Sequence, residues 1–128
     1  MTEANAGSEM VLVVDDDEGV RETLREVVEM AGCSVALASN GAEALTMLRA
    51  NRPCLIVLDL MMPVMSGPEL LEAMGKEPEL AAIPVVISTS APHKAPRGFP
   101  VLSKPISIDA LWDWIKKTCH CDNEASAP

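Results

Sequence analysis

Short continuous apolar runs alternate along this chain with stretches in which apolar residues recur every three or four positions. Met10-Val11-Leu12-Val13-Val14 is the first run, and it stops at Asp15-Asp16-Asp17. A Val-rich run of this length suits a strand buried on both faces. Val20, Leu24, Val27, Val28 and Ala31 then mark one stripe of a helix, and Gly32 ends it in the usual C-terminal position. Ser34 to Ala38 reads as a second strand. Ser39 or Asn40 can cap the helix that carries Ala44, Leu45 and Leu48. After Pro53, Leu55-Ile56-Val57-Leu58 is a third strand and runs into Asp59. A loop from Leu60 to Ser66 leads into a helix with Leu70, Leu71 and Met74. Pro84 opens a fourth strand, Val85-Val86-Ile87-Ser88, and Val101-Leu102 is a short fifth. Ser107 caps a last helix through Lys117, with Ile108, Leu111 and Ile115 on one face.

Strands that alternate with amphipathic helices imply βαβ units, hence an α/β fold on a parallel sheet with right-handed crossovers. In open sheets of this kind ligands bind at the carboxyl ends of the strands. Residues 10–118 form the expected domain. Residues 1–9 read as a flexible N-terminal tail and residues 119–128 as a C-terminal tail whose end looks frayed.

Composition narrows the function. The chain has 128 residues and a formal charge of −9, which fits one acidic domain. That balance argues against nucleic-acid and anionic-membrane partners, both of which need clustered Lys and Arg. No apolar run approaches the roughly 20 residues of a membrane span, and MTEANAGSEM lacks the pattern of a signal peptide. The expected location is the cytoplasm. There Cys33, Cys54, Cys119 and Cys121 should be thiols rather than a disulfide framework. Cys119-His120-Cys121 invites a metal reading, but its spacing is unlike the common zinc pairs and no second pair stands beside it. It reads as the frayed end of the last helix.

Chemistry concentrates at the strand ends. Asp15 and Asp16 follow the first strand, Asp59 ends the third, Thr89 follows the fourth and Lys104 follows the fifth. All can converge on one crevice. Clustered carboxylates repel, by roughly 4 kcal/mol per pair at about 4 Å in a surface-like dielectric. A hard divalent cation held by oxygen offsets this, and Mg²⁺ takes one or two carboxylates together with a phosphate oxygen. A carboxylate can accept a phosphoryl group as an acyl phosphate. Lys104 and the Thr89 hydroxyl could then cover the remaining equatorial oxygens. Taken singly, Asp17 is a helix cap or a solvated neighbour.

These residues resemble the receiver domains of bacterial response regulators, from about Met10 to Lys117. The resemblance rests on Val-Leu-Val-Val-Asp15-Asp16-Asp17, on Asn40-Gly41-Ala42-Glu43-Ala44-Leu45 and on Leu58-Asp59-Leu-Met-Met-Pro63-Val-Met-Ser-Gly67. Pro84 to Thr89 and Lys104-Pro105 complete it. It implies a doubly wound, flavodoxin-like five-stranded sheet of order 2-1-3-4-5 with helices on both faces. It implies Asp59 as phosphoacceptor, Asp15, Asp16, Asp59 and the Met61 carbonyl around Mg²⁺, Thr89 as the switch hydroxyl and Lys104 on the phosphoryl group. Ser88 and Ser90 flank Thr89, and the register set by Pro84 favours Thr89. Pro105 should follow a cis peptide bond, and Gly67 should permit a tight loop. A histidine kinase or phosphotransfer protein would be the donor. The domain's own chemistry would be limited to taking and losing the phosphoryl group, so it is not an enzyme in the ordinary sense.

The chain also departs from the family. Only 14 residues separate Thr89 from Lys104, and Pro92, Pro96 and Pro100 lie among them. The fourth crossover helix should be reduced to a turn or an irregular loop. The switch aromatic of strand five is replaced by Val101, with Phe99 nearby but not expected on the same strand face. Trp112 and Trp114 flank the Leu111/Ile115 stripe, and at least one is expected at the surface, where Trp favours an interface. The expected output surface is residues 90–101 with the last helix, and phosphorylation could also drive dimerisation. The alternative is a pseudo-receiver that binds partners constitutively. A Mg²⁺-dependent aspartyl phosphohydrolase would need a substrate cap for which the sequence has no room. With no effector domain after residue 121, the chain reads as a single-domain regulator or an excised domain.

Overall fold

The computed structural model describes residues 9–121. The expected tails fall largely outside the described residues. Among the described residues five strands form one parallel sheet of order β2-β1-β3-β4-β5. They are β1 (Met10–Val14), β2 (Ser34–Ala38), β3 (Leu55–Asp59), β4 (Val85–Thr89) and β5 (Val101–Ser103). The helices are α1 (Glu18–Met30), α2 (Gly41–Ala50), α3 (Gly67–Gly75), a single turn α4 (Pro78–Ala81) and α5 (Ile108–Thr118). The expected strand order and both helical layers are present.

The apolar runs are continuous because the central strands are covered on both sides. Leu12, Val14, Ile56, Leu58, Val85 and Ile87 face α2, α3 and α4 through Leu48, Leu70, Met74 and Leu80. Their neighbours Val11, Val13, Leu55, Val57 and Val86 face α1 and α5 through Leu24, Val28, Leu111 and Ile115. Each two-residue step returns a side chain to the same layer. Leu12, Ile56 and Leu58 are almost wholly buried, and truncating such a residue to Ala costs roughly 2–5 kcal/mol.

Local signals set the element ends. Asp17 caps α1 by accepting from the Val20 N–H at 3.0 Å, and Gly32 follows that helix at φ 91°. Asn40 caps α2 and Ser107 caps α5. Ser66 and Glu69 close a capping box on α3. The turn α4 was not legible as a separate element. Its signal is Pro78 at the first helical position and the buried Leu80.

The β4–β5 crossover is shortened as expected. It holds a single 3₁₀ turn, Pro92–Lys94, and the Ile87 N–H donates to the Pro100 carbonyl at 2.8 Å. Phe99, however, packs on the same layer as Val101. The expectation that it would lie off that face is corrected: positions two apart in extended chain share a side.

Two further expectations are corrected. Neither Trp is broadly exposed. Trp112 and Trp114 both pack on the α1/α5 layer. Trp112 donates from Nε1 to the Val27 carbonyl at 3.0 Å, and Lys117 covers the Trp114 ring at 4.7 Å. Residues flanking an amphipathic stripe fold inward when large rings meet a neighbouring helix. The cysteines are not thiols here either. Cys33 bonds Cys121 and Cys54 bonds Cys119. Cys119 is buried, and the Cys121 sulfur lies 3.7 Å from the Glu9 carbonyl, so residues 119–121 are a packed strap rather than a frayed end. Compartment arguments weigh the redox milieu and do not see that the fold brings four distant sulfurs together.

No helix among the described residues is long and apolar enough to cross a membrane.

Candidate functional site

The parallel sheet aims every strand in one direction, so the residues that end β1, β3, β4 and β5 meet along one edge. Register sets them side by side. Val14 lies opposite Leu58, Asp59 opposite Ser88, and Thr89 opposite Ser103. One step beyond the strands come Asp15 and Lys104.

Carboxylate oxygens of Asp15, Asp16 and Asp59 all lie within 4.8 Å of one another. Asp15 and Asp59 are buried, at 1% and 8% relative exposure, while Asp16 is exposed. The Lys104 ammonium sits 2.9 Å from Asp15 Oδ2 and 3.4 Å from Asp59 Oδ1. Backbone groups fix Asp15 further. Its Oδ1 accepts from the Asp17 N–H at 2.9 Å, and Arg21 donates to its carbonyl at 2.7 Å. Sequence reading missed Arg21; its only signal is a position one turn into α1 from the acidic loop.

Burial pushes the Asp59 carboxyl above its usual range, and the Asp15 charge adds to that, with Lys104 pulling the other way. Burial alone would lower the Lys104 pKa, but its hydrogen bond to Asp15 and the two carboxylate charges outweigh it and leave the ammonium more basic than usual. Asp59 is thus raised chiefly by its burial, and Lys104 by its acidic neighbours.

Thr89 is almost fully buried, and its Oγ accepts from the Ala91 N–H at 2.9 Å. It lines a cavity of about 510 Å³ with Asp16, Met61, Pro63, Ser66 and Lys94. Met61 is exposed at 69%. Ser88, the rival hydroxyl, points into the opposite layer by strand alternation and is buried at 1%. The structure thus brings Asp15, Asp16, Asp59 and Lys104 into one cluster, with Thr89 and Met61 on the adjoining wall.

The loop that follows Asp59 is tightly built. The Gly67 N–H donates to the Leu60 carbonyl at 2.9 Å. A Cβ on Gly67 would stand 2.5 Å from the Asp59 carbonyl oxygen. Val64, exposed in the same loop, adopts φ 68°, a conformation costly to a β-branched residue. The Lys104-Pro105 bond is cis, as expected, and turns the chain from β5 towards α5.

The donor set suits a hard cation: three carboxylates close together, two of them buried, with no Cys or His among them.

A 2-1-3-4-5 sheet with an acidic carboxyl edge facing a lysine defines the receiver class of α/β domains. Residues 11–116 match the family model described as the response regulator receiver domain, and the chain belongs to that family. A curated relative, response regulator MprA of Mycobacterium sp. (strain KMS), is 36% identical over 106 residues, covering 79% of this chain and 46% of the relative. The chain therefore spans about half the length of the curated relatives it matches. Among solved structures, the receiver domain of a signal transduction histidine kinase from Syntrophus aciditrophicus superposes with a TM-score of 0.77 at 28% identity, covering 86% of this chain and 89% of that one. Chemotaxis protein CheY4 of Vibrio cholerae gives 0.75 at 26% identity, covering 85% and 97%. The chain is thus a two-component signalling domain rather than an enzyme of the ordinary kind.

Proposed function

We propose that this domain accepts a phosphoryl group on Asp59 from the phosphohistidine of a sensor histidine kinase or phosphotransfer protein. The observation that carries the reading is the Lys104 ammonium lying between two buried carboxylates at a strand edge. An Asp59 oxygen attacks phosphorus, the phosphorus–nitrogen bond to imidazole breaks, and an aspartyl phosphate forms. Lys104, within 3.4 Å of Asp59, would pair with one phosphoryl oxygen, and the Thr89 hydroxyl would donate to another.

Asp16 and Asp59 would hold Mg²⁺ directly, Asp15 largely through water, and the Met61 carbonyl would complete the protein ligands. When bound, the ion neutralises charge on the transferring group. The folded unit that does this is residues 10–118, extended by the strap to Cys121. Location in the cytoplasm agrees with the kinase chemistry.

Output would pass through residues 90–101 and α5. Thr89 and Phe99 share a sheet layer by alternation and packing, so the aromatic absent from β5 has a substitute two residues before Val101. With both Trp rings packed inward, the α5 contribution rests on its polar outer face. A phosphorylation-linked dimer and a protein target are both compatible with that surface, and the net charge of −9 disfavours nucleic acid.

The test is intact mass after incubation with Mg²⁺ and a small phosphodonor. One phosphate adduct that disappears in Asp59→Asn supports the reading. No adduct in the folded wild-type protein overturns it and favours a constitutive pseudo-receiver.

A further inference from the structure

The four cysteines come from three places in the chain yet share one cluster. Cys33 follows α1, Cys54 precedes β3, and Cys119 and Cys121 follow α5. All lie at the amino-terminal side of the sheet, opposite the edge that carries Asp59. The sulfurs of Cys33, Cys119 and Cys121 fall within 4.8 Å of one another, and Cys54 comes equally close to Cys121. The bonded pairs, Cys33–Cys121 and Cys54–Cys119, therefore abut across their shared strap. Two disulfides that only staple a fold have no need to do so.

We propose that the reduced form of this cluster is a four-thiolate site for Zn²⁺. Tetrahedral zinc with Zn–S bonds near 2.3 Å spaces its sulfurs about 3.8 Å apart. The contacts between pairs already lie within reach of that spacing, and bonded sulfurs need only part by side-chain rotation. Cα separations of 5.0 and 5.3 Å within the pairs leave room for such rotation. A Cys-x-Cys in extended chain places both sulfurs on one side, and Cys119 and Cys121 accordingly face one centre. The missing second pair that spacing could not supply is Cys33 and Cys54.

The surroundings fit a closed structural site. Cys33 and Cys119 are buried at 5%. The Thr118 hydroxyl donates to the Trp114 carbonyl at 2.8 Å and lies 3.6 Å from the Cys119 sulfur, which fixes the end of α5 beside the cluster. Glu9 brings a carboxylate oxygen within 4.8 Å of Cys54 and Cys121, a lesser ligand beside four soft sulfurs.

The chemistry balances with a thiol or phosphine reductant. Each disulfide takes two electrons and two protons to give two thiols, and the reductant is oxidised. Zn²⁺ then displaces the four thiol protons. Two equivalents of a small-molecule disulfide reverse the sequence by thiol–disulfide exchange: both protein disulfides re-form, four small thiolates leave and Zn²⁺ is released, so the cluster exchanges a zinc clamp for two disulfides.

The experiment uses the full chain, reduced with a phosphine without oxygen, given Zn²⁺ and desalted. Metal content and native mass should give about one zinc per chain, with all four thiols slow to alkylate until a chelator is added. Co²⁺ in place of zinc should give the visible bands of tetrahedral thiolate cobalt. Cys33→Ser should lower zinc retention at least about tenfold. Asp59→Asn should retain it, as should Glu9→Gln. A folded, reduced protein that retains no zinc and whose thiols alkylate freely overturns the proposal, as does zinc lost with Asp59→Asn. Where Cys33→Ser fails to fold, the cobalt spectrum of the wild-type protein decides alone.

Discussion

Lys104 is held by Asp15 more closely than by Asp59, at 2.9 Å against 3.4 Å. The lysine that would contact a phosphoryl group is therefore committed to a neighbouring acid before any phosphoryl arrives. Asp15 is 2% exposed at its side chain and Lys104 is 24% exposed, so the pair is neither fully buried nor freely screened.

Removing that cation should move stability and metal affinity in opposite directions. Lys104→Ala leaves two buried carboxylates without their ammonium. It should cost roughly 2–4 kcal/mol in metal-free buffer, below the full buried-pair value because Lys104 is partly open to water. The same change removes a competitor for the acids, so Mg²⁺ should bind about tenfold more tightly. Urea melts with and without Mg²⁺, and a direct titration, check both. Weaker Mg²⁺ binding in a folded variant would place the ion elsewhere.

Asp59 gives the pH dependence. Its folded pKa lies above the unfolded value because of burial, with Asp15 adding to it. The stability it contributes is thus fully present below the unfolded carboxylate pKa and is lost as pH rises through the raised folded value. Asp59→Asn removes that loss. The variant should melt higher than wild type at pH 7 in metal-free buffer, by about 1 kcal/mol, with the advantage vanishing in acid. A hundredfold excess of Mg²⁺ over its Kd should add about 2.7 kcal/mol to the wild type and much less to the variant. Thermal melts from pH 3 to 8 carry the measurement.

Much of this site was legible because it follows from strand direction. Once Asp15, Asp59, Thr89 and Lys104 are each placed at a strand end, a parallel sheet gathers them, and the acids, the lysine and the cis bond before Pro105 all stand where the sequence puts them. What escaped depends on side-chain packing between distant segments. Phe99 looked detached because its strand begins two residues later, yet alternation carries it to the Val101 layer. At least one of Trp112 and Trp114 looked exposed, because helical periodicity does not register contacts such as the Val27 carbonyl that receives the Trp112 N–H. Cys33 and Cys54 meet Cys121 and Cys119 across 88 and 65 residues, a closure no local pattern encodes.

The Gly67 position should tolerate no side chain. A Cβ there would meet the Asp59 carbonyl at 2.5 Å and Leu60 Cα at 2.9 Å, both backbone atoms. Gly67→Ala must therefore shift the loop that begins at Asp59 itself. It should cost roughly 1–3 kcal/mol as an overpacked contact and slow phosphorylation from a small donor at least about tenfold, since small misplacements of a reacting group have that effect. Gly75→Ala, which meets nothing within 4 Å, is the control and should leave the rate alone.

Val64 is the opposite case, a side chain where glycine would be easier. Its φ of 68° and its 82% exposure mean that it is strained without packing in return. A β-branched residue held there costs roughly 1–3 kcal/mol, and glycine gives back part of the gain through the entropy of its unfolded chain. Val64→Gly should therefore stabilise the domain by about 1 kcal/mol, and Val64→Asn should do nearly as well because Asn tolerates the left-handed region. The measurement is the urea midpoint at constant slope. Unchanged or lower midpoints in both variants would mean that the loop is not strained at this residue.

The shortened crossover makes a last prediction about signalling. Residues 90–100 are held by few backbone bonds: a 3₁₀ turn closed by Lys94 and Ala95 N–H groups, and the Ile87 bond to Pro100. The Thr89 oxygen accepts from the Ala91 N–H at 2.9 Å, so a demand on Thr89 by a phosphoryl group falls directly on the start of this loop. A segment with so little internal bonding can be ordered by one new contact. Addition of beryllofluoride and Mg²⁺ should slow amide exchange across residues 90–100, with β1 and β3 unchanged. Thr89→Val should abolish the slowing while preserving binding of the mimic at Asp59. Equal protection with and without the mimic would show that the state of Asp59 is read elsewhere, through the α5 surface.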